Sequence, residues 1–389
     1  MNYDELIKKY KTPFYLYDIN TLKNRVAYIK EKLNKDYKLI YAVKANTFII
    51  KEIDPFVDGY EICSYGEYEI TSNLGIDNSK CLISGVNKDE ESIRNILNSG
   101  VRRFTVESIN HYHLLEKLTK ELDIKIDILI RLTSGNQFGV SEEDFKEVLK
   151  LNKDNEFITI KGLEYFTGTQ KHSIKKVNRE IDYLIEFISM IEEEFNFNIE
   201  EVEYGSGSPV FYFRDDEFNE DEYFDELNLA LSKIKNKKIS IEMGRSIAAS
   251  CGKYVTSIVD MKSNKYGNTI LLDGGINHLV YYGQTMAMRV PYFNLFPTRN
   301  TGEKVYNLYG SLCTINDVIL KNITLNEPSL GDYFVFDNVG AYSVTEGIAL
   351  FLSRELPSVI ICDINNKYHM VRNHEKTSDI NYPNYDVKE

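Results

Sequence analysis

Lys44 closes the apolar run Leu39-Ile40-Tyr41-Ala42-Val43 and is followed by Ala45-Asn46. A strand that buries its neighbours should not carry an ammonium group unless the charge is paired, loses its proton or becomes a covalent bond. A desolvated lysine of this kind is the nucleophile that forms imines with carbonyl compounds. The plainer reading is a strand-end lysine whose tip reaches water. Glu242 poses the same question at the end of Ile239-Ser240-Ile241-Glu242, with Met243-Gly244-Arg245 next. Gly244 and Arg245 could contact an anion, or Glu242 could form a buried ion pair with Arg245 or a neighbour.

Tyr204-Gly205-Ser206-Gly207-Ser208-Pro209 follows another apolar run. Small residues let the backbone approach an anion, and successive N–H groups can cradle a phosphate. A tight turn after a strand is the commoner use of such glycines. No GxGxxG opens a helix here, so the dinucleotide fingerprint is not satisfied. Cys313, in Leu312-Cys313-Thr314-Ile315-Asn316-Asp317, reads by itself as a small buried hydrophobe. Tyr342, in Gly340-Ala341-Tyr342, follows a strand and could bring a phenol hydroxyl to an anion.

Something must bring these scattered groups together. Eight short apolar runs punctuate the first two thirds of the chain: Tyr37–Val43, Gly59–Ile62, Cys81–Ser84, Arg103–Val106, Ile126–Arg131, Ile158–Phe166, Glu201–Tyr204 and Ile239–Glu242. Helical spacing fills most of the gaps. Ser141 with Asp144 three residues on resembles an N-cap, and Ile181–Phe195 places Leu184, Ile185, Ile188 and Ile191 on one face. Alternating strands and helices imply a parallel sheet. Eight repeats are the number that closes an α/β (β/α)8 TIM-type barrel, whose chemistry sits at the C-terminal strand ends. Lys44, Arg131, Phe166, Gly205 and Glu242 all fall at or just past such ends. An open doubly wound sheet is the alternative.

After about residue 246 the pattern becomes β-rich. Tyr254–Met261, Asn268–Leu272, Val305–Gly310, Val318–Ile323 and Tyr333–Asp337 read as strands. The expected organisation is residues 1–24 with an N-terminal strand returning to the second domain, 25–246 as the barrel, and 247–389 as a C-terminal β-rich, barrel- or sandwich-like domain.

The chain has 389 residues, 43% hydrophobic and 27% charged, the composition of a globular protein of about two domains. No apolar stretch is long enough to span a bilayer, and the N-terminus lacks a secretory core, so a cytoplasmic protein without a membrane role is expected. A net charge of −13 argues against nucleic acid as a partner. The acidic run Arg214–Glu226 reads as a solvated face. Five scattered cysteines without CxxC spacing support neither a disulfide framework nor a metal site.

The ordered set Tyr41–Asn46, Gly59–Glu67, Gly168-Thr169-Gln170, Gly205–Gly207, Glu242–Arg245, Cys313–Asp317 and Gly340–Tyr342 resembles the fold-type III pyridoxal-phosphate decarboxylases, which include diaminopimelate and ornithine decarboxylases. The likeness runs from about Pro13 to about Val359. It implies that Lys44 holds pyridoxal 5'-phosphate through an imine bond and that Glu242 keeps the pyridine nitrogen protonated. Phe166, Thr169, Gly205, Gly207, Gly244, Arg245 and Tyr342 would surround the cofactor. Cys313 would cross from a second subunit and return a proton to Cα after CO2 leaves, so a homodimer with shared sites is expected. Arg131, Arg289 and Thr314 would face or support the substrate.

Two departures bear on the reaction. Most relatives stack a histidine on the cofactor ring where this chain has Phe166, which can stack but cannot donate a hydrogen bond. Thr314 stands where diamino-acid decarboxylases carry an acid for the distal amine. The Cys-Thr-x-x-Asp pattern, with Gly168-Thr169-Gln170 and Gly283-Gln284 before Arg289, is similar to a secondary-metabolism branch that includes a decarboxylase of glutamate carried on an acyl-carrier protein. Lys171, Lys175, Lys176 and Arg179 then read as a docking patch for an acidic carrier, or as a solvated helix face. The alternatives are diaminopimelate decarboxylation, racemisation on the same fold (disfavoured by Glu242), and a catalytically weak relative that binds or regulates partners.

Overall fold

A computed structural model describes residues 3–383. The chain forms two compact units. One comprises Lys23–Val210 and Phe218–Ile247; the other comprises residues up to Leu22, Phe211–Glu217 and Ala248 onward.

In the other unit the helix Tyr3–Lys9 is followed by β1 (Phe14–Asp18). In the first unit eight strands close a parallel barrel in sequence order. They are β2 (Lys38–Ala42), β3 (Gly59–Ile62), β4 (Cys81–Ile83), β5 (Arg103–Val106), β6 (Ile126–Leu132), β7 (Ile158–Phe166), β8 (Glu201–Gly205) and β9 (Lys238–Met243), with β9 pairing back to β2. Their near-continuous burial is what a parallel sheet covered by helices requires. Helix starts are set by side-chain caps. Ser64, Ser108 and Ser141 accept the N–H groups of Glu67, His111 and Asp144. The long helix Ile174–Phe195 begins earlier than its sequence pattern suggests. It buries Val177, Ile181, Leu184, Phe187, Ile188 and Ile191, with Phe187 rather than Ile185 on the inner face.

The other unit is a nine-stranded mixed sheet. It adds β10 (Gly252–Asn264), β11 (Gly267–Leu272), β12 (Phe293–Phe296), β13 (Glu303–Tyr309), β14 (Val318–Asn326), β15 (Tyr333–Phe336), β16 (Ser358–Cys362) and β17 (Tyr368–Arg372). β1 runs antiparallel to β10 and parallel to β16. Phe14, Leu16, Val255, Val335 and Ile360 form a core there, each contributing about 1.5–3 kcal/mol by leaving water. β12, β16 and β17 are strands that the apolar pattern did not mark.

Candidate active site

The barrel gathers its chemistry at the C-terminal strand ends. β2 stops at Ala42, and the chain turns through the short 3-10 segment Val43–Ala45. Lys44 Nζ then lies 2.8 Å from Glu61 Oε2 and 3.4 Å from Glu242 Oε1. Glu61 is an inward residue of β3 and Glu242 of β9, and both are buried. Across the barrel, Arg131 on β6 reaches Glu107 Oε2 and Glu164 Oε1, each at 3.3 Å. Arg131 and Glu164 are register partners between β6 and β7, and Glu164 and Glu203 between β7 and β8.

One oxygen from each of Glu61, Glu164 and Glu242 lies within 4.8 Å of the others. Such a cluster suits a cation, and the ammonium of Lys44 already meets two of the three. Five buried carboxylates, counting Glu107 and Glu203, surround Lys44 and Arg131, so not all can be ionised together. Burial would push Glu61 up, but Lys44, a hydrogen bond with Glu242 and Arg131 hold it well below the usual carboxylate range. Burial and the neighbouring Glu61 push Glu242 well above that range. Burial, only partly offset by Arg131, raises Glu164 to about 7. Glu203 is raised by burial and by Glu164. Burial also lowers Lys88 on the β4–β5 side to about 8, against the pull of Glu107 and Glu164.

A second group of residues lies between the ends of β7, β8 and β9. Phe166 ends β7, and a Cβ on Gly205 would come within 2.4 Å of its ring. Gly207 has φ +58, and a Cβ there would stand 2.1 Å from the Gly168 carbonyl. Only glycine fits that turn. Gly244 packs against Ala42 and Ala45, next to the lysine turn. Arg245 is buried, with Nε 3.3 Å from Thr169 Oγ1. Lys44, Arg131, Phe166, Thr169, Gly205, Gly207, Glu242, Gly244 and Arg245 therefore share one end of the barrel.

The four remaining expected residues belong to the other unit. Cys313 is an exposed free thiol, beside Ile315, which is 87% exposed. Their loop is held by buried Asp317, whose carboxylate accepts the N–H groups of Ile276 (2.9 Å) and Leu312 (2.8 Å). Thr314 hydrogen-bonds within the same loop, accepting the Asn316 N–H at 3.3 Å. Tyr342 has φ +69, a conformation L residues rarely adopt and one that recurs at functional positions. Arg289 is forked onto Asp215 (2.8 Å) and Asp216 (2.7 Å) over the Phe213 ring. Part of the acidic run is thus ion-paired rather than simply solvated. Lys171 departs further from its expected place: it is buried and paired with Glu180 at 2.8 Å, so it does not belong to a surface patch.

Sequence patterning pointed to Lys44 and Glu242 but passed over Glu61, Glu164 and Glu203. The same signal, a carboxylate inside an apolar strand, was present in Gly59–Ile62, Ile158–Phe166 and Glu201–Tyr204. The Lys171–Glu180 pair left no pattern, because its two charges lie on a loop and on the helix that follows.

A barrel with a lysine and buried carboxylates at its mouth, beside a tight turn built on Gly205 and Gly207, suits an enzyme that handles an aldehyde cofactor. Residues 19–249 match the family described as pyridoxal-dependent decarboxylase, pyridoxal binding domain, and the chain belongs to that family. Similar proteins include the diaminopimelate decarboxylase of Haemophilus influenzae, 26% identical over 98% of this chain and 95% of its own. The L-glutamyl-[BtrI acyl-carrier protein] decarboxylase of Niallia circulans is 24% identical over 98% and 96%. Diaminopimelate decarboxylase of Helicobacter pylori, solved with L-lysine, superposes with TM-score 0.85 at 24% identity, covering 97% of this chain and 98% of that one. The protein is a pyridoxal-phosphate-dependent decarboxylase by family, and the site fits the cofactor. The excess of buried carboxylate facing Lys44 suits a protonated pyridine ring, and the turn built on Gly205 and Gly207 is of the kind that lets backbone N–H groups approach an anion. No described helix is long and apolar enough to cross a membrane.

Proposed function

We propose that the protein decarboxylates an α-amino acid whose distal end carries no free ammonium, either free in solution or tethered to an acyl-carrier protein. Pyridoxal phosphate, when bound, supplies an electron sink for the carbanion left by CO2. Lys44 would hold the cofactor at its aldehyde group. Glu242 keeps the ring nitrogen protonated, and Glu61 pairs with Lys44 so that the amine stays near the reacting carbon. Gly205, Gly207, Gly244, Arg245 and Thr169 hold the phosphate, with Tyr342 adding a hydroxyl. Cys313, from a second copy of the chain, delivers a proton to Cα. Its exposure on a rigidly held loop next to exposed Ile315 supports such a homodimer.

The observation that carries the reaction type is Glu242, a buried carboxylate at the end of β9 and 3.4 Å from Lys44. A carboxylate there favours full delocalisation into the ring and hence loss of CO2 over racemisation. Thr314 carries the substrate class, since a hydroxyl cannot pair with a distal cation. Arg289 would meet a substrate carboxylate only by giving up Asp215 or Asp216.

The deciding experiment measures CO2 release and amine formation by the reconstituted full-length enzyme. Glutamate, carrier-bound glutamate, diaminopimelate, ornithine and lysine are compared. Turnover of a substrate without a distal ammonium supports the proposal. Diaminopimelate as the best substrate restores the lysine-biosynthetic reading. Cofactor binding without CO2 from any of them favours a binding or regulatory role, and racemisation without CO2 overturns the argument from Glu242.

A further inference from the structure

The Gly205–Gly207 turn rests on a buried ammonium. Lys171 Nζ lies 2.8 Å from Glu180 Oε2, 3.1 Å from the Gly205 carbonyl and 3.4 Å from the Tyr204 hydroxyl. Its own backbone N–H donates to the Gly207 carbonyl at 2.9 Å. One residue thus takes two carbonyls of a three-residue turn. A trans peptide points its N–H opposite to its C=O. Pinning both carbonyls on the Lys171 side therefore turns the N–H groups of Ser206 and Ser208 the other way, where the Ser208 N–H also meets Ser206 Oγ at 3.4 Å. The fit is close, since a Cβ on Gly207 would lie 2.9 Å from Lys171 Cε.

Glu180 is braced in turn by the hydroxyls of Thr167 (2.5 Å) and Tyr204 (2.6 Å). A buried ion pair is weak support for stability, because apolar residues of similar volume often serve as well. Its retention here calls for a local use. Lys171 Nζ also sits 5.8 Å from the Phe166 ring centre and 4.9 Å from that of Tyr204. A fixed cation therefore stands directly behind the ring that covers Gly205.

We propose that Lys171 is a positioning residue for the cofactor phosphate, fixing the Gly205–Gly207 turn and placing an amine paired with Glu180 behind Phe166. This rests on the assignment of that turn to the phosphate. It also explains an uncharged ring at 166. An imidazole there would have to take its proton against the ammonium of Lys171, whereas a phenyl face attracts that ammonium. The other charges bearing on Lys171 are Glu180, Lys176 and Glu242.

The test compares binding of pyridoxal phosphate with binding of pyridoxal, which lacks the phosphate, to full-length apo-protein. In Lys171→Met the preference for the phosphorylated form should fall about tenfold or more, the scale of one hydrogen bond to a charged group. A purely structural role would weaken both ligands together and leave the ratio unchanged, which overturns the proposal. Should Lys171→Met fail to fold, Lys171→Gln keeps a donor for the Gly205 carbonyl without the charge. The ratio should fall there too, and an unchanged ratio counts equally against the idea. Phe166→His should bind pyridoxal phosphate progressively less well as pH drops below 7. Adding Lys171→Met should flatten that slope, and an unaltered slope breaks the link between the two residues. Wild-type protein that binds neither ligand would overturn the cofactor assignment itself, a result distinct from any change in the ratio.

Discussion

Lys44 Nζ and Glu61 Oε2 lie 2.8 Å apart, and the two side chains are unequally buried: the lysine is 35% exposed and the glutamate 1%. Glu61 depends on that ammonium to stay ionised, while Lys44 retains a route to water. The role proposed for Lys44, an amine that binds an aldehyde and is later displaced, suits this asymmetry. Its counter-ion stays fixed while the amine itself can move.

Lys44→Ala should therefore do two separable things. It should abolish the visible absorbance of the bound cofactor, with CO2 release. It should also strand Glu61, lowering stability by about 1–3 kcal/mol after allowing for the lysine's partial exposure. Lys44→Arg should restore most of the stability and none of the absorbance. Spectra and urea melts of both variants check this, and a visible band surviving in Lys44→Ala would remove Lys44 from the role of anchor.

Much of the barrel was legible because its strands are buried on both faces and read as unbroken apolar runs. Gly59–Ile62, Arg103–Val106 and Ile158–Phe166 fall where the pattern put them. Lys44 and Glu242 stood out as charges in such runs. Glu61, Glu164 and Glu203 were equally visible but were absorbed into their strands, because a single glutamate does not break an apolar pattern. Lys171 was misplaced for another reason. Lys171–Lys176 reads as a solvated stretch, and only the fold shows that Glu180, Tyr204 and Gly205 converge on its first residue. In the other unit, β12 and β16 are short apolar runs of four and five residues, too short for local pattern to assign.

Glu164 makes the barrel's stability sensitive to pH. Its carboxyl is raised from 4.5 to about 7, by burial first, and it is faced by Arg131, Glu61, Glu107 and Lys44, with Glu203 beside it. Below pH 4.5 both native and unfolded chains hold this proton. Between 4.5 and 7 only the native chain does, so unfolding releases it and stability falls as pH rises, the loss being complete above about 7. Glu164→Gln should shrink the drop between pH 5 and 8 in the apo-protein by something on the order of 2 kcal/mol. Urea midpoints at the two pH values measure it, and an equal drop in both proteins would show that Glu164 is ionised throughout.

Asp317 should control the Cys313 loop. Each of its carboxylate oxygens takes a backbone N–H, from Ile276 and from Leu312. Asp317→Ala leaves both amides without that acceptor, and about 1–3 kcal/mol of stability should go with each that stays buried. The freed loop should let Cys313 react faster with a thiol reagent, while buried Cys81, Cys251 and Cys362 stay slow. Labelling rates followed by mass spectrometry give the answer. Cys313 labelling at the wild-type rate would mean that the loop is held by something other than Asp317.

Gly207 tests whether the turn proposed to hold the phosphate is limited by space or by backbone conformation. Gly75 and Gly207 both have positive φ, +76 and +58, but a Cβ on Gly75 meets nothing within 4 Å, whereas one on Gly207 meets the Gly168 carbonyl at 2.1 Å. Gly75→Ala should cost only the left-handed conformation, about 1–2 kcal/mol of stability, and should leave cofactor affinity alone. Gly207→Ala carries the same conformational cost and must also push Gly168 and Lys171 away from the turn. Its affinity for pyridoxal phosphate should fall by at least about tenfold, 1.4 kcal/mol. Equal cofactor affinity in the two alanine variants would show that the turn tolerates a side chain, and the phosphate would then have to be held elsewhere on the barrel end.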